Sequence, residues 1–446
     1  MNLREAVYFG LVGLRGQTLG PYYKQILREE QEGIPADTIY KLLIKLLTHC
    51  KKFVPYYTNI INKTGDSFAE DPEEYMRHFP ILTKEIIRSR FEDLKSSDLE
   101  RRKWFLNTSG GSTGEPVRFI QDWEYAARSG AISLLFSKLI GREIGESAVQ
   151  IWGSERDIID GEERYTARLI NKITNTVFVN AFCLTPQRLR EFIAQINAKP
   201  PKLIVSYTKL MYEIAMFAER EGLKVMPQAA VITTAEKLFP FMRNKIQEIF
   251  GCNVYNRYGS REVGDIACER PGLRGLWVAP WGNYVEIVDS EGKPVPNNTE
   301  GEILVTSLTN YAMPLVRYQI GDRGIISFSE NNGKDKNRKV LREVLGRISD
   351  TFKNKNGTLI DPGYFEYLLY FKNWILNFQV IQKDYSSIIF KIVKSKTDPH
   401  PDEIKKIVKK TKLIMGDDCK VEFDFVDQIE YSGSGKYRFT ISEIHS

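Results

Sequence analysis

The sequence predicts an α/β protein: a large N-terminal domain with α/β sheets and a β-rich subdomain, then a small α+β C-terminal domain. Three observations carry this prediction. Short apolar runs alternate with helical stretches from about residue 149 to 255, the pattern of a largely parallel sheet. From Tyr284 the texture turns to strand after strand. After Asp350 it changes again, to a compact mixture of strands and helices. A chain of 446 residues has room for such a division.

Taken in order, the N-terminal part is helical, with Tyr40, Leu43, Ile44, Leu46 and Leu47 at a spacing near 3.6. The apolar stretch Ala6–Leu14 is too short to cross a bilayer and lacks a basic leader, so it is expected to pack on the main body. Buried strands are expected at Val149–Trp152, Thr176–Val179, Leu203–Val205, Ala229–Ile232 and Asn253–Tyr255. Helices are expected at Trp123–Leu139, Pro186–Ile196, Leu210–Glu221 and Phe239–Phe250. The β-rich part, about 284–345, contains Tyr284–Val288, Glu302–Thr306 and Arg323–Phe328, with Gly292, Pro294, Pro296 and Asn297 marking a turn. Polar segment Glu330–Arg338 reads as a solvated hairpin loop. The boundary is placed at about 348–351, giving domains 1–348 and 351–446. In the second, a helix near Tyr364–Tyr370 precedes strands Asn377–Gln382 and Ser387–Val393, a helix Pro401–Leu413 and a strand Lys420–Phe425.

Composition narrows the function. The chain is 42% hydrophobic and 27% charged, as in ordinary water-soluble proteins. A net charge of +6, from 63 basic and 57 acidic residues without a Lys/Arg block, does not indicate a nucleic-acid partner. The five cysteines are scattered and form no CxxC, so neither a disulfide framework nor a zinc ribbon is expected, and a cytoplasmic location fits. No transmembrane segment is expected, and the sequence leaves the oligomeric state open.

The most informative run is Asn107-Thr-Ser-Gly-Gly-Ser-Thr-Gly-Glu-Pro-Val-Arg118, with three glycines and four hydroxyls. Glycine lets backbone N–H groups turn inward, and Ser and Thr add donors, so Ser109, Gly110, Gly111, Ser112, Thr113 and Gly114 can cradle phosphate oxygens. It is not a Walker A loop, since no Gly-Lys-Ser/Thr follows; its plain reading is a surface turn. Four motifs follow. Tyr258-Gly259-Ser260-Arg261-Glu262 sets an acidic side chain beside a tight turn at a strand end, fit for magnesium near phosphates or for a capped turn into a helix. Tyr318-Gln-Ile-Gly321-Asp322-Arg323 offers a carboxylate, fixed by a glycine turn, that can accept two ribose hydroxyls. Gly346-Arg347-Ile-Ser-Asp350 falls at the domain boundary, and Ser432-Gly-Ser-Gly-Lys436 presents one lysine.

In this order and spacing the segments resemble the adenylate-forming superfamily of acyl-CoA synthetases, peptide-synthetase adenylation domains and luciferases, from about Trp104 to the end. Within it the chain is most similar to the phenylacetate–coenzyme A ligase branch, and more narrowly to the capsular polysaccharide biosynthesis proteins related to those ligases. The phosphate loop ends Gly-Glu-Pro-Val, and Arg261 stands where other branches carry threonine. That leaves one phosphate-contacting hydroxyl in question, although Arg261 offers a charged fork instead.

The resemblance implies ATP and Mg²⁺ as cofactors, with coenzyme A as a possible second substrate. Glu262 would hold Mg²⁺, and Lys436, carried by a mobile small domain, would bridge the α-phosphate and the carboxylate. Lys436, Glu262 and Arg261 are therefore the expected catalytic residues. Asp322 and Arg347 would hold the ribose, Tyr258 would stack on adenine, and Ala235-Glu236 would face it. Asn256, Gly259 and Ser260 complete the nucleotide set, and Asp350 is the implied hinge. Zinc, bound by some relatives through Cys and His near the Tyr-Gly segment, is not expected, because only Cys252 and Cys268 lie nearby. Trp152, Ser154 and Tyr207 follow strands, where ligands of open α/β sheets sit, and are candidates for the acyl pocket or ordinary rim residues. The implied reaction is activation of a small-molecule carboxylate as acyl-adenylate, then transfer to a thiol, amine or hydroxyl acceptor in capsule or exopolysaccharide biosynthesis. Two other readings stand beside it: a non-catalytic nucleotide-binding protein of a polysaccharide assembly complex, and an adenylyltransferase that leaves AMP on its target.

Overall fold

A computed structural model describes residues 2–109, 117–152, 165–180, 186–330, 336–347, 352–356, 359–360, 363–370, 372–395, 397–429 and 439–444. They form two compact units, one of Met1–Gly110 with Pro116–Val344 and one built on Leu345–Ser446.

The first unit opens with four helices, Leu3–Leu14, Leu19–Glu32, Thr38–Phe53 and Pro55–Thr64. Leu43, Leu46, Leu47 and Cys50 from the third are buried, as their spacing requires. A two-stranded hairpin follows, β1 (Trp104–Thr108) and β2 (Arg118–Asp122), in antiparallel register Thr108↔Arg118. Asp122 ends β2 and caps the next helix, Trp123–Leu139: its Oδ1 accepts from Tyr125 N at 2.7 Å.

Eleven described strands then share one sheet. They are β3 (Ala148–Trp152), β4 (Thr176–Asn180), β5 (Leu203–Tyr207), β6 (Ala230–Thr234), β7 (Asn253–Ser260), β8 (Gly264–Arg270), β9 (Leu273–Val278), β10 (Asn283–Val288), β11 (Glu300–Ser307), β12 (Tyr318–Phe328) and β13 (Lys339–Arg347). Their order is β10-β11-β12-β13-β9-β8-β7-β6-β5-β3-β4. The pairs from β4 to β7 are parallel, with helices Pro186–Ala198, Thr208–Arg220 and Pro240–Phe250 in the connections. From β7 onward the measured pairings are antiparallel. The β-rich part is thus continuous with the parallel part and begins at Gly264 rather than Tyr284. Strands β8, β9 and β13 carry charged residues among their apolar ones, which hides them from a search for apolar runs.

The main core joins Leu43, Leu46 and Tyr57 of the helices to Ile266, Val285, Ile303, Val305 and Tyr318 of the sheet. A second cluster centres on Trp277, where Arg270 and Arg338 both pair with buried Glu30, at 2.8 and 3.3 Å. Each guanidinium lies about 5 Å from the Trp277 ring centre, so the charges are stacked as well as paired. Among the described residues no helix is long and apolar enough to cross a membrane.

The second unit is an α+β fold. A two-stranded pair, β14 (Phe352–Lys353) with β15 (Leu359–Ile360), precedes helix Gly363–Tyr370. The sheet runs β18-β17-β16-β19, from β16 (Ile375–Asp384), β17 (Ser387–Lys394), β18 (Lys420–Phe425) and β19 (Thr440–Ser442). Helix Pro401–Met415 connects β17 to its parallel neighbour β18. Phe365, Leu369, Trp374, Phe378, Phe390, Ile407 and Met415 form its core.

Candidate functional site

The site of the first unit is built on three backbone features. The first is the hairpin of β7 and β8. Tyr258-Gly259-Ser260 ends β7, and Arg261–Val263 turn the chain straight into β8, so this motif enters a strand and not a helix. Gly259 is required by the close cross-strand approach: a Cβ there would lie 2.5 Å from the Gly264 carbonyl. The turn exposes Arg261 and buries Glu262.

The second is a bulge in β12. Glu302 pairs with Arg323 and Leu304 with Gln319, so three residues of β12 oppose one of β11. Gly321 sits in that bulge at φ +92°, a conformation that glycine adopts without strain. The sequence suggests a Gly-Asp turn; the structure has an irregular strand that projects Asp322. The Tyr258 hydroxyl donates to Asp322 Oδ2 at 2.7 Å. Two residues read separately from sequence therefore meet. Four residues earlier, fully buried Tyr318 donates its hydroxyl to Glu262 Oε1 at 3.3 Å.

The third is the neck of the glycine-rich loop. Ser109 N donates to the Val117 carbonyl and Val117 N to Ser109 Oγ, both at 2.9 Å. Ser109 is buried, and its hydroxyl clasps the base of the loop. Behind the neck, Asn107 Nδ2 donates to Gln121 Oε1 at 3.0 Å. Gln121 Nε2 in turn donates to the carbonyls of Arg261 and Glu262, at 2.8 and 3.2 Å. One side-chain amide thus joins the loop's hairpin to the Glu262 turn.

Other expected residues line the ends of the parallel strands. Ala235, just after β6, is held at φ +72°, a strained conformation for alanine of the kind that collects at functional sites. Glu236 is turned toward the helix Thr208–Arg220, where its Oε2 accepts from Lys209 N at 2.8 Å. The backbone N–H of Asn256 donates to Glu269 at 2.7 Å, and Arg243 holds that carboxylate with two hydrogen bonds. Ser260 Oγ is buried and unpartnered among the described residues. Trp152 and Tyr207, at the ends of neighbouring strands β3 and β5, bring their rings to 4.6 Å.

Gly110, Gly111, Ser112, Thr113, Gly114, Ser154, Asp350 and Lys436 lie outside the described residues, as does the side chain of Arg347 at the end of β13. The residues that sequence reasoning missed are Asn107, Gln121 and Tyr318. Asn107 and Tyr318 stand inside motifs that mark the site, whereas Gln121 carries no local signal.

The donor set fits a nucleotide-borne magnesium. Glu262 is buried, with one carboxylate oxygen oriented by Tyr318. Among the described residues no group of three or more His, Cys, Asp or Glu converges. Magnesium bound through one carboxylate and substrate phosphates needs no such cage.

This architecture is that of the adenylate-forming ligases. The chain superposes on 2-hydroxyisobutyryl-CoA ligase in complex with 2-HIB-AMP with a TM-score of 0.70 at 16% identity, covering 92% of this chain and 90% of that one. The anthranilate CoA ligase AuaEII with anthranoyl-AMP gives 0.54 at 17% identity over 74% of this chain and 64% of its own. ATP-bound MatB from Rhodopseudomonas palustris gives 0.52 at 14% identity over 74% and 65%. At these identities the likeness establishes the fold. In sequence, the chain is similar to Protein CapK of Staphylococcus aureus, 25% identical over 95% of this chain and 92% of that protein. Residues 352–443 match the CapK C-terminal domain family. The similarity to Protein CapK thus extends over nearly the whole chain.

Proposed function

We propose that this protein activates a carboxylic acid with ATP, forming an acyl-adenylate, and passes the acyl group to an acceptor thiol, amine or hydroxyl. The observation that carries the reading is the meeting of Asp322 with Tyr258 and of Glu262 with Tyr318, next to a glycine-rich loop tied to the same turn.

A carboxylate is a poor electrophile. In the first step its oxygen attacks the α-phosphorus of ATP; the bond to the pyrophosphate oxygen breaks, and pyrophosphate leaves. In the second, the acceptor attacks the carbonyl of the mixed anhydride and AMP leaves. Asp322 accepts hydrogen bonds from the ribose hydroxyls, and the Tyr258 hydroxyl orients its carboxylate. Loop residues 109–114 donate to the phosphates, and Arg261, exposed at the turn, adds a cation. Glu262 would hold Mg²⁺ together with the phosphates, and the ion would offset charge there. Lys436 bridges the α-phosphate and the attacking carboxylate in the first step, with Asp350 as hinge and Arg347 on the ribose. The acyl group lies by Trp152 and Tyr207. A role in capsule or exopolysaccharide biosynthesis is supported by the similarity to Protein CapK.

A panel of carboxylic acids tested for acid-dependent pyrophosphate release with Mg·ATP decides the matter. At least one acid is expected to release pyrophosphate, with AMP following once an acceptor is supplied. ATP binding without release by any acid would favour a non-catalytic nucleotide-binding protein. AMP retained covalently on a product even after a thiol, amine or hydroxyl acceptor is supplied would make the chain an adenylyltransferase.

A further inference from the structure

Among the described residues, the hairpin that carries the glycine-rich loop pairs with no further strand. In their two-stranded sheet β2 pairs with β1 alone, and its outer edge is met by side chains: Asn310 Nδ2 donates to the Ile120 carbonyl at 2.9 Å. Next along the strand comes Gln121, 2% exposed, whose amide is used on both sides. Its oxygen accepts from Asn107, two residues before the loop neck. Its nitrogen donates to both carbonyls of the Arg261–Glu262 turn. The following residue, Asp122, is pinned as a helix cap and paired with Arg102 at 3.3 Å. Gln121 is thus fixed from the chain on one side and reaches across 140 positions to the turn on the other.

We propose that Gln121 is a positioning residue that sets the spacing between the phosphate loop and the Glu262 carboxylate. The inference rests on the nucleotide-activating reading of the site. The chemistry follows from the amide. Only a group with a donor on one end and an acceptor on the other can satisfy two carbonyls and the Asn107 N–H together. Buried in this place, it costs little freedom and holds two loops that no strand pairing joins. Its removal leaves two carbonyls facing a buried gap and lets the turn drift from the phosphates. Glu262 then still exists but meets the metal in the wrong place, which is how residues behind metal ligands act.

The test compares ATP affinity of the full-length protein by calorimetry in excess Mg²⁺ and in EDTA, with the melting temperature followed in parallel. The wild type should bind ATP more tightly with Mg²⁺. Gln121→Leu should bind ATP in EDTA nearly as the wild type does, while its gain from Mg²⁺ falls about 10–100-fold. Gln121→Glu, which keeps the shape but turns an acceptor toward two acceptors, should lose the gain in the same way. An unchanged gain in Gln121→Leu would overturn the proposal while leaving the nucleotide reading standing. Equal losses with and without Mg²⁺ would make Gln121 a merely structural residue and would overturn it too. A wild type that binds no ATP in either condition would instead sink the nucleotide reading itself. Should both Gln121 variants fail to fold, Asn107→Ala frees the amide from its outer partner; a Mg²⁺ gain equal to the wild type's in that variant would also overturn the proposal.

Discussion

Tyr258 and Asp322 stand 64 positions apart and share a 2.7 Å hydrogen bond, so each limits what the other can do. The Tyr258 hydroxyl donates to Oδ2 and so fixes the orientation of the Asp322 carboxylate, which on the proposed function receives the ribose hydroxyls. Asp322→Ala should weaken ATP binding by about 1–3 kcal/mol, the cost of losing hydrogen bonds to a charged acceptor. Calorimetry giving the wild-type affinity for that variant would remove Asp322 from the site. A second residue-level prediction concerns acid. His49 is buried, its Nε2–H donating to the Tyr311 carbonyl at 2.9 Å. Burial, and then the Arg102 charge, hold its pKa below the usual 6.5. The unfolded chain therefore takes up the proton first, and stability is lost as pH falls below about 6.5. Nearby Asp98 acts lower down. Burial raises its pKa, but hydrogen bonds from Arg102 and Ser96 outweigh this and bring it to about 2, so its share is lost between about 3.8 and 2. Urea unfolding at pH 7.5 and 5 should show His49→Asn losing less stability between the two than the wild type. Equal losses would mean that His49 does not titrate on unfolding.

At the scale of elements, Glu236 acts first as a helix cap. Its carboxylate accepts the Lys209 N–H at the head of helix Thr208–Arg220, and its carbonyl accepts the Thr208 hydroxyl at 3.0 Å. Glu236→Ala should cost about 0.5–2 kcal/mol of stability, as losing a cap does. A thermal melt unchanged by this substitution would show that the contact contributes nothing to the fold. The same elements show what the sequence reveals and what it hides. Helix Trp123–Leu139 is legible because a capping Asp122 stands before it. Strands β3 to β6 are legible as apolar runs between helices, the mark of a sheet covered on both faces. The hairpin after Tyr258 is not, because Ser260-Arg261-Glu262-Val263 reads equally well as a helix start, and the antiparallel partner β8 is half polar. Nor is the bulge at Gly321, since whether Gly-Asp makes a turn or a bulge depends on the register with β11. Asp322 and Glu262 are legible by the motifs around them, whereas the bonds that aim them, from Tyr258, Tyr318 and Gln121, join distant segments. Residue type can suggest such bonds but not locate them.

For the whole molecule, the chain divides into two compact units, and on the proposed function a residue of the segment Leu345–Ser446 serves one half-reaction and not the other. Lys436 belongs to that segment, in a run of alternating serine and glycine. Its charge matters where negative charge grows, at the α-phosphate while the carboxylate attacks and pyrophosphate departs. In the second step AMP leaves from an anhydride already formed, and the acceptor needs access to the carbonyl more than another cation. Lys436→Ala should therefore slow pyrophosphate release by a factor on the order of 10²–10³, the usual cost of removing one preorganised contact to a developing charge. ATP affinity and melting temperature should stay close to wild type, because on the proposed function the ground-state nucleotide is held by Asp322, the loop and the Glu262 turn. Given a pre-formed acyl-adenylate, the variant should transfer the acyl group at close to the normal rate. Equal losses in both half-reactions would place Lys436 in a structural role, and the division of labour between the two units would lose its chemical basis. Normal pyrophosphate release in the variant would show instead that another cation, with Arg261 the first candidate, meets the charge of the first transition state.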